Sequence, residues 1–264
     1  YNMNNNPIGL FDSGVGGTSI WKEIHQLLPY ENTIYLADSL NAPYGYKSKE
    51  EIISLSLKNT ELLLEKGCKI IVVACNTATT NAITVLRERF RVPFIGIEPA
   101  IKPAVLQSKT KSIGILATKG TLNSELFSLA TKDFTKDIMM TEVIGEGLVP
   151  LIEEGALLSP EISSLLEKFL KPMLKNNIDH LVLGCSHYPY LIPQLTNLLP
   201  NHIKIIDSGE AVAKQTKSIL LKKNLLREAS NQPIIQFITN SSDITLKLLL
   251  KKYCEKVDIK TRKF

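Results

Sequence analysis

The chain has 264 residues, enough for one large or two modest α/β domains with a sizeable core. Its composition, 44% apolar and 22% charged with a formal charge of +5, is ordinary for a globular protein and too mild for a dedicated polyanion binder. The basic tail Lys251, Lys252, Lys256, Lys260, Arg262 and Lys263 reads as the solvated end of a helix rather than a nucleic-acid patch, and no apolar run reaches the roughly 18 to 20 residues that span a bilayer.

The polar start, Tyr1 to Asn6, is expected to be disordered. It lacks the charged-then-apolar pattern of a secretory leader, which with four cysteines and no Cys-x-x-Cys predicts a cytoplasmic protein with reduced thiols and neither a zinc nor a dithiol redox centre. Ile8 to Phe11 reads as the first strand. Thr18 to Leu28 follows as a helix with Ile20, Ile24, Leu27 and Leu28 on one face, stopped by Pro29. Thr33 to Ala37 is a second strand. The next helix, Ser48 to Lys66, opens with Ser48 and Glu51 at capping-box spacing, carries Ile53, Leu57 and Leu64 along one stripe, and closes at Gly67. Lys69 to Ala74 is then a strand that ends at Cys75.

Ile97 to Pro103 reads as a hinge, because Pro99 and Pro103 interrupt a helix. A second cycle begins with the strand Ser112 to Thr118 and reaches its own thiol strand at His180 to Gly184, which ends at Cys185. After Asp207-Ser208-Gly209 the chain turns helical, and Pro233 to Thr239 reads as one more strand of a piece that returns to the first half. Strand and helix alternate throughout, so the expected fold is α/β. It consists of two pseudo-symmetric parallel-sheet domains, 1–99 with 211–264 and 100–210, related as a diverged duplication with the site in the cleft between them.

Two strands that stop at a thiol and then turn place each sulfur at the carboxyl edge of a parallel sheet, where α/β proteins bind ligands. Asp12-Ser13-Gly14-Val15-Gly16-Gly17 follows a strand and opens a helix, so backbone can approach a ligand there. It has neither the Lys-Ser/Thr of a P-loop nor dinucleotide-binding spacing, and Asp12 suits an ammonium group or a base-orienting role better than a phosphate. Pro43-Tyr44-Gly45, after Asp38-Ser39, reads by itself as a turn. Asn76, Thr77, Ser186 and His187 directly follow the two thiols. Either they cap helices or they hold a carboxylate, and their duplication favours the second reading. His25, His180 and His202 read as structural or exposed, and Cys68 and Cys254 as buried small hydrophobes.

Asp12 to Gly17, Pro43-Tyr44-Gly45, Ala74-Cys75-Asn76-Thr77-Ala78-Thr79 and Gly184-Cys185-Ser186-His187-Tyr188-Pro189, in this order and at these separations, resemble the glutamate racemases of the aspartate/glutamate racemase superfamily. The likeness runs from about Pro7 to Asp207. It implies a cofactor-independent, metal-free cytoplasmic isomerase that converts L-glutamate to the D-glutamate of bacterial peptidoglycan. It also implies a homodimer with a small-molecule substrate and no nucleic-acid or membrane partner. The resemblance assigns Cys75 and Cys185 as the catalytic acid/base pair. It places substrate contacts at Asp12, Ser13, Tyr44, Gly45, Asn76, Thr77, Ser186 and His187, puts Thr118 near the α-carboxylate, and makes Glu153 an auxiliary charge partner. Position 186 is commonly threonine in the family, so Ser186 departs from it while keeping the hydroxyl. The few residues before the first strand are expected to leave no room for an activator-binding extension.

The chemistry of inversion agrees with this assignment. A proton must leave one face of a carbon and another arrive at the opposite face, so two acid/base groups across a cleft are the minimum equipment, with Asp12 coupled to Cys75 and His187 to Cys185. Other readings are an aspartate or hydantoin racemase, a non-catalytic amino-acid-binding sensor, and a thiol redox protein. The last is disfavoured because cysteines facing a ligand from opposite sides are too far apart to pair.

Overall fold

Strands made only of aliphatic and β-branched residues need cover on both faces, and parallel pairing with helical crossovers supplies it. The computed structural model describes residues 3–134, 136–228 and 231–264. Within them ten strands form two sheets, and every strand pairing is parallel. The strands are β1 (Ile8–Asp12), β2 (Thr33–Ala37), β3 (Ile70–Val73), β4 (Phe94–Gly96), β5 (Ser112–Ala117), β6 (Met139–Ile144), β7 (His180–Gly184), β8 (Lys204–Ile206), β9 (Ile235–Thr239) and β10 (Asp258–Thr261). The first sheet has six strands in the order β10-β9-β2-β1-β3-β4, and the second has four in the order β6-β5-β7-β8. In each sheet the thiol strand lies beside the strand that opens the half: β3 pairs with β1, and β7 with β5. All residues of these four strands are buried.

Helix α1 (Thr18–Leu27) buries Ile20, Trp21 and Ile24, and the Trp21 indole N–H donates to Thr33 Oγ1 at 3.0 Å. Truncating a buried side chain of that size costs about 3–5 kcal/mol. Helix α2 (Lys49–Glu65) begins with the capping box: Ser48 Oγ accepts from the Glu51 N–H, and Glu51 Oε2 accepts from the Ser48 N–H. Gly67 after it adopts φ +78°, the left-handed position that favours glycine. Helix α3 (Asn76–Arg89) has Cys75 itself as its N-cap. The helix Gly209–Lys222 packs Val212, Ala213 and Leu220 into the core shared with α1, and the chain then adds β9 and β10 to the first sheet.

Several expectations change. Residues 1 and 2 lie outside the described region, but Met3–Asn5 form a 3-10 turn rather than disordered chain, held by Lys69 Nζ donating to the Asn4 carbonyl at 2.7 Å. The two prolines of the hinge do not prevent a helix: α4 (Ile101–Gln107) carries Pro103 in its first turn, where an N–H would find no intrahelical acceptor. The basic tail is exposed but is not the end of a helix. It forms a 3-10 turn at Lys251–Tyr253 and the edge strand β10, whose charged residues suit an unpaired edge. Cys68 is buried, its thiol pushed up to about 12 by desolvation, whereas Cys254 is exposed and not the buried hydrophobe expected. His25 is stacked on Trp21, His180 bonds Asp179, and His202 is exposed.

Candidate active site

The carboxyl ends of β1, β3, β5 and β7 converge on one narrow cleft. Ser13, Pro43, Tyr44, Gly45, Cys75, Asn76, Thr77, Thr118, Val149, Cys185, Ser186 and His187 line it, so both thiols and nearly all the residues singled out in the sequence meet there. Asp12 stands behind this lining and Glu153 behind His187. The glycines after Asp12 let the two halves touch. A Cβ on Gly14 would sit 1.9 Å from a Glu153 oxygen, and one on Gly16 would sit 2.3 Å from the His187 ring.

On one side, Cys75 is the last residue before α3. Its Sγ receives the Ala78 N–H at 3.4 Å, so the thiol itself caps the helix, and Asn76 and Thr77 are left free for other partners. Desolvation, followed by the neighbouring Asp12 carboxylate, pushes the Cys75 thiol well above its ordinary value, and the Ala78 and Ser13 N–H groups only partly oppose that. Asp12 is fully buried. Its Oδ2 accepts the Gly17 N–H at 2.8 Å and its Oδ1 accepts the Ser186 hydroxyl at 3.2 Å. Burial raises the Asp12 carboxyl, against the pull of His187 and the Gly17 N–H. At rest, Cys75 is therefore a protonated acid beside a carboxylate that holds a proton more readily than an ordinary aspartate.

Cys185, on the other side, follows β7. The chain does not enter a helix at once here, but turns through Ser186 and His187 into a 3-10 segment, Tyr188–Leu191, before the helix Ile192–Leu198. His187 occupies this turn with Nδ1 3.7 Å from Cys185 Sγ and Nε2 2.5 Å from Glu153 Oε1. Burial alone would pull the His187 ring down, but its hydrogen bonds to Cys185 and Glu153, with the charges of both, outweigh burial and push it well above the ordinary histidine value. Glu153 is held in turn by the Val15 N–H at 2.7 Å and the Ser39 hydroxyl at 3.0 Å, both from the other half. The Cys185 side thus has an imidazolium buttressed by a carboxylate, and the Cys75 side a thiol buttressed by a carboxyl.

Threonine hydroxyls close one end of the cleft. Thr77 Oγ1 lies 2.7 Å from Thr118 Oγ1, which lies 3.0 Å from Thr121 Oγ1. Asn76 donates to the Ile97 carbonyl at 3.4 Å, while its buried Oδ1 has no protein partner. An unpaired acceptor of this kind suits a ligand N–H. Ser186, by contrast, directs its hydroxyl at Asp12 rather than into open cleft. Thr121, Ser39 and Val149 are not among the site residues the sequence points to, and Pro43 enters that reading only as part of the Pro43-Tyr44-Gly45 motif. Thr121 had a signal in its spacing of three from Thr118, which caps the short helix Lys119–Leu122, whereas the approach of Ser39 to Glu153 spans 114 positions and has no local sequence trace.

Compared with known proteins, residues 8–216 match the Asp/Glu/Hydantoin racemase family. The chain is 43% identical to a glutamate racemase of Herpetosiphon aurantiacus over 238 residues, covering 90% of this chain and 94% of that protein. Among solved structures it superposes on glutamate racemase isoform RacE1 of Bacillus anthracis with a TM-score of 0.87 at 30% identity, covering 99% of this chain and 98% of the other. It superposes on the Francisella tularensis glutamate racemase in complex with D-glutamate with a TM-score of 0.84 at 27% identity and the same coverage.

Proposed function

The chain belongs to the Asp/Glu/hydantoin racemase family and is an amino-acid racemase, and from that premise we propose that it interconverts L- and D-glutamate by two thiols acting on opposite faces of Cα. The observation that carries the proposal is the pairing of each cysteine on the cleft with its own ionisable partner, Asp12 at Cys75 and His187 at Cys185. The glutamate racemase activity of the relatives and the D-glutamate held by the Francisella structure supply the substrate.

In the proposed cycle, with the two faces assigned by resemblance to the family, the Cys185 sulfur takes the α-proton of L-glutamate. The Cα–H bond breaks and its electron pair spreads into the adjacent carboxylate. His187 and Glu153 keep compensating charge within reach of the sulfur. Cys75, resting as a thiol, delivers its proton to the other face and leaves D-glutamate behind. The roles reverse for D-glutamate. Asn76 Oδ1 and Asp12 receive the substrate ammonium, while Ser13, Thr77, Thr118 and the Tyr44-Gly45 segment surround the carboxylates, with Ser186 and His187 completing the wall. A carbanion without an electron sink needs fixed donors and exclusion of water, and we assign that exclusion to closure of the two domains, 1–99 with 211–264 and 100–210, around glutamate. Thiols and donors from the chain supply all the chemistry in this account, so no cofactor enters it.

The cell-wall role, cytoplasmic location and homodimer belong to the same proposal and rest on the family resemblance. No helix among the described residues is long and apolar enough to cross a membrane. The test is to incubate the purified protein with L-glutamate alone, after exhaustive dialysis against a chelator, and to measure the approach of optical rotation to zero. Activity lost on dialysis and restored by an added metal or cofactor would overturn the cofactor-free part. A faster reaction with aspartate than with glutamate would overturn the substrate.

A further inference from the structure

We infer that Asp38, clamped by Asn240 and Asn41, is a positioning residue that holds the Tyr44-Gly45 wall of the cleft against the substrate. The inference rests on the reading that this wall contacts glutamate.

Asp38 follows β2 and is level with Asp12, its N–H donating to the Asp12 carbonyl at 3.1 Å. Its carboxylate lies in a cluster of side-chain donors. Oδ2 accepts the Tyr44 hydroxyl at 2.5 Å, and Oδ1 accepts the side-chain amides of Asn41 at 2.7 Å and Asn240 at 2.5 Å. Tyr44 also receives the Asn59 amide on its hydroxyl at 3.1 Å, and Asn240 turns its own carbonyl oxygen to the Leu40 N–H at 2.9 Å. Tyr44 and Asp38 are both almost wholly buried.

The arrangement has a purpose that packing alone does not explain. Residues 39–46 lead from the end of β2 to the start of α2 through two short 3-10 turns, a segment with little regular structure of its own. Such a segment keeps one geometry only where side chains supply the bonds. Here a carboxylate out of reach of water accepts three donors, two of which fasten the beginning and the end of the segment. The third donor, Asn240, comes from the end of β9, two hundred residues later in the chain, and bonds Leu40 as well. The C-terminal stretch, beyond the residues 8–216 that match the family, thereby reaches the substrate wall through one asparagine. A shift of Tyr44 would carry Gly45 with it, and Gly45 already lies so near Thr118 that a Cβ there would sit 3.0 Å from the threonine.

The test measures racemisation kinetics for Asn240→Ala, Asn41→Ala, Tyr44→Phe, Gly45→Ala and the double variant Asn240→Ala/Tyr44→Phe, with a thermal melt of each. The expected result is that Asn240→Ala and Asn41→Ala raise KM for glutamate about three- to tenfold with kcat within about twofold. The double variant should be no worse than Tyr44→Phe alone, because both losses act through the same carboxylate. Asn41 is only half-buried, less so than Asn240, so its variant keeps the test alive if Asn240→Ala does not fold. If Gly45→Ala raises KM while both asparagine variants leave it unchanged, or if the losses in the double variant multiply, the inference is overturned and the site assignment stands. If Gly45→Ala leaves KM unchanged, the site assignment itself fails and the inference goes with it.

Discussion

Replacing Glu153 with Gln removes a charge while leaving the geometry almost intact. The Gln carbonyl oxygen can take the place of Oε1, facing the Val15 N–H and His187 Nε2, and its amide can donate to Ser39 Oγ where Oε2 accepted before. What is lost is the counter-charge of an imidazolium whose side chain is 1% exposed, on a partner that is 14% exposed. A hydrogen bond to a charged group is worth about 1.5–3 kcal/mol, so kcat/KM for glutamate should fall roughly 10- to 150-fold. The pH dependence carries a sign. The His187 pKa is raised in the folded state, so its contribution to stability is full below the unfolded value of about 6.5 and disappears as pH rises through the higher folded value. Without the carboxylate that folded value drops. The alkaline limb of kcat/KM should therefore move to lower pH, and so should the loss of stability measured by urea unfolding at a series of pH values. Glu153→Ala should be worse, because the Val15 N–H and Ser39 hydroxyl also lose their acceptor. A Gln variant within twofold of the parent across the whole profile would refute the claim that Glu153 charges His187.

Three other outcomes follow from the same geometry. Cys75→Ser and Cys185→Ser should each abolish racemisation, yet each should still eliminate HCl from a 3-chloroglutamate of one configuration only, Cys185 serving the L and Cys75 the D enantiomer; near-normal racemisation in both would remove the two-base account. Asp12→Asn should be more stable than the parent at neutral pH and much less active. The raised carboxyl makes ionised Asp12 a cost that grows as pH climbs from its unfolded value, about 3.9, through the folded one, so a destabilised variant at neutral pH would count against this. Ser186→Ala, by freeing Asp12 from its hydroxyl partner, should lower kcat/KM about tenfold, and Ser186→Thr should stay near the parent; equal activity in all three would show that the hydroxyl is idle.

The sheets were legible where burial is complete. The strands around Leu10, Val72, Ile115 and Val182 announce themselves because every residue in them except the terminal Asp12 and His180 is apolar or small, and the capping box at Ser48 marks a helix start to the residue. β4, β6, β8 and β10 escaped because all four are edge strands: β4 and β8 are only three residues long, and β6 and β10 bury no side chain, so Glu142, Asp258 and Lys260 hide the alternation. Pro103 was misleading because a proline in a first helical turn costs nothing, while the same residue two turns later would end the helix. At the site, the two thiols and the residues after them are contiguous motifs and could be read directly. Ser39 reaching Glu153 and Asn240 reaching Asp38 join positions more than a hundred residues apart, and only the fold brings them together.

The central claim is that one thiol removes the α-proton and another, on the opposite face, replaces it. L-glutamate incubated with the enzyme in deuterated water, sampled early and separated into enantiomers, tests that most directly. The account predicts that D-glutamate carries deuterium at Cα from its first appearance while the remaining L-glutamate keeps its proton, because each face is served by its own solvent-exchanged sulfur. Deuterium appearing in L-glutamate as fast as in D-glutamate, or D-glutamate that retains the original proton, would contradict it.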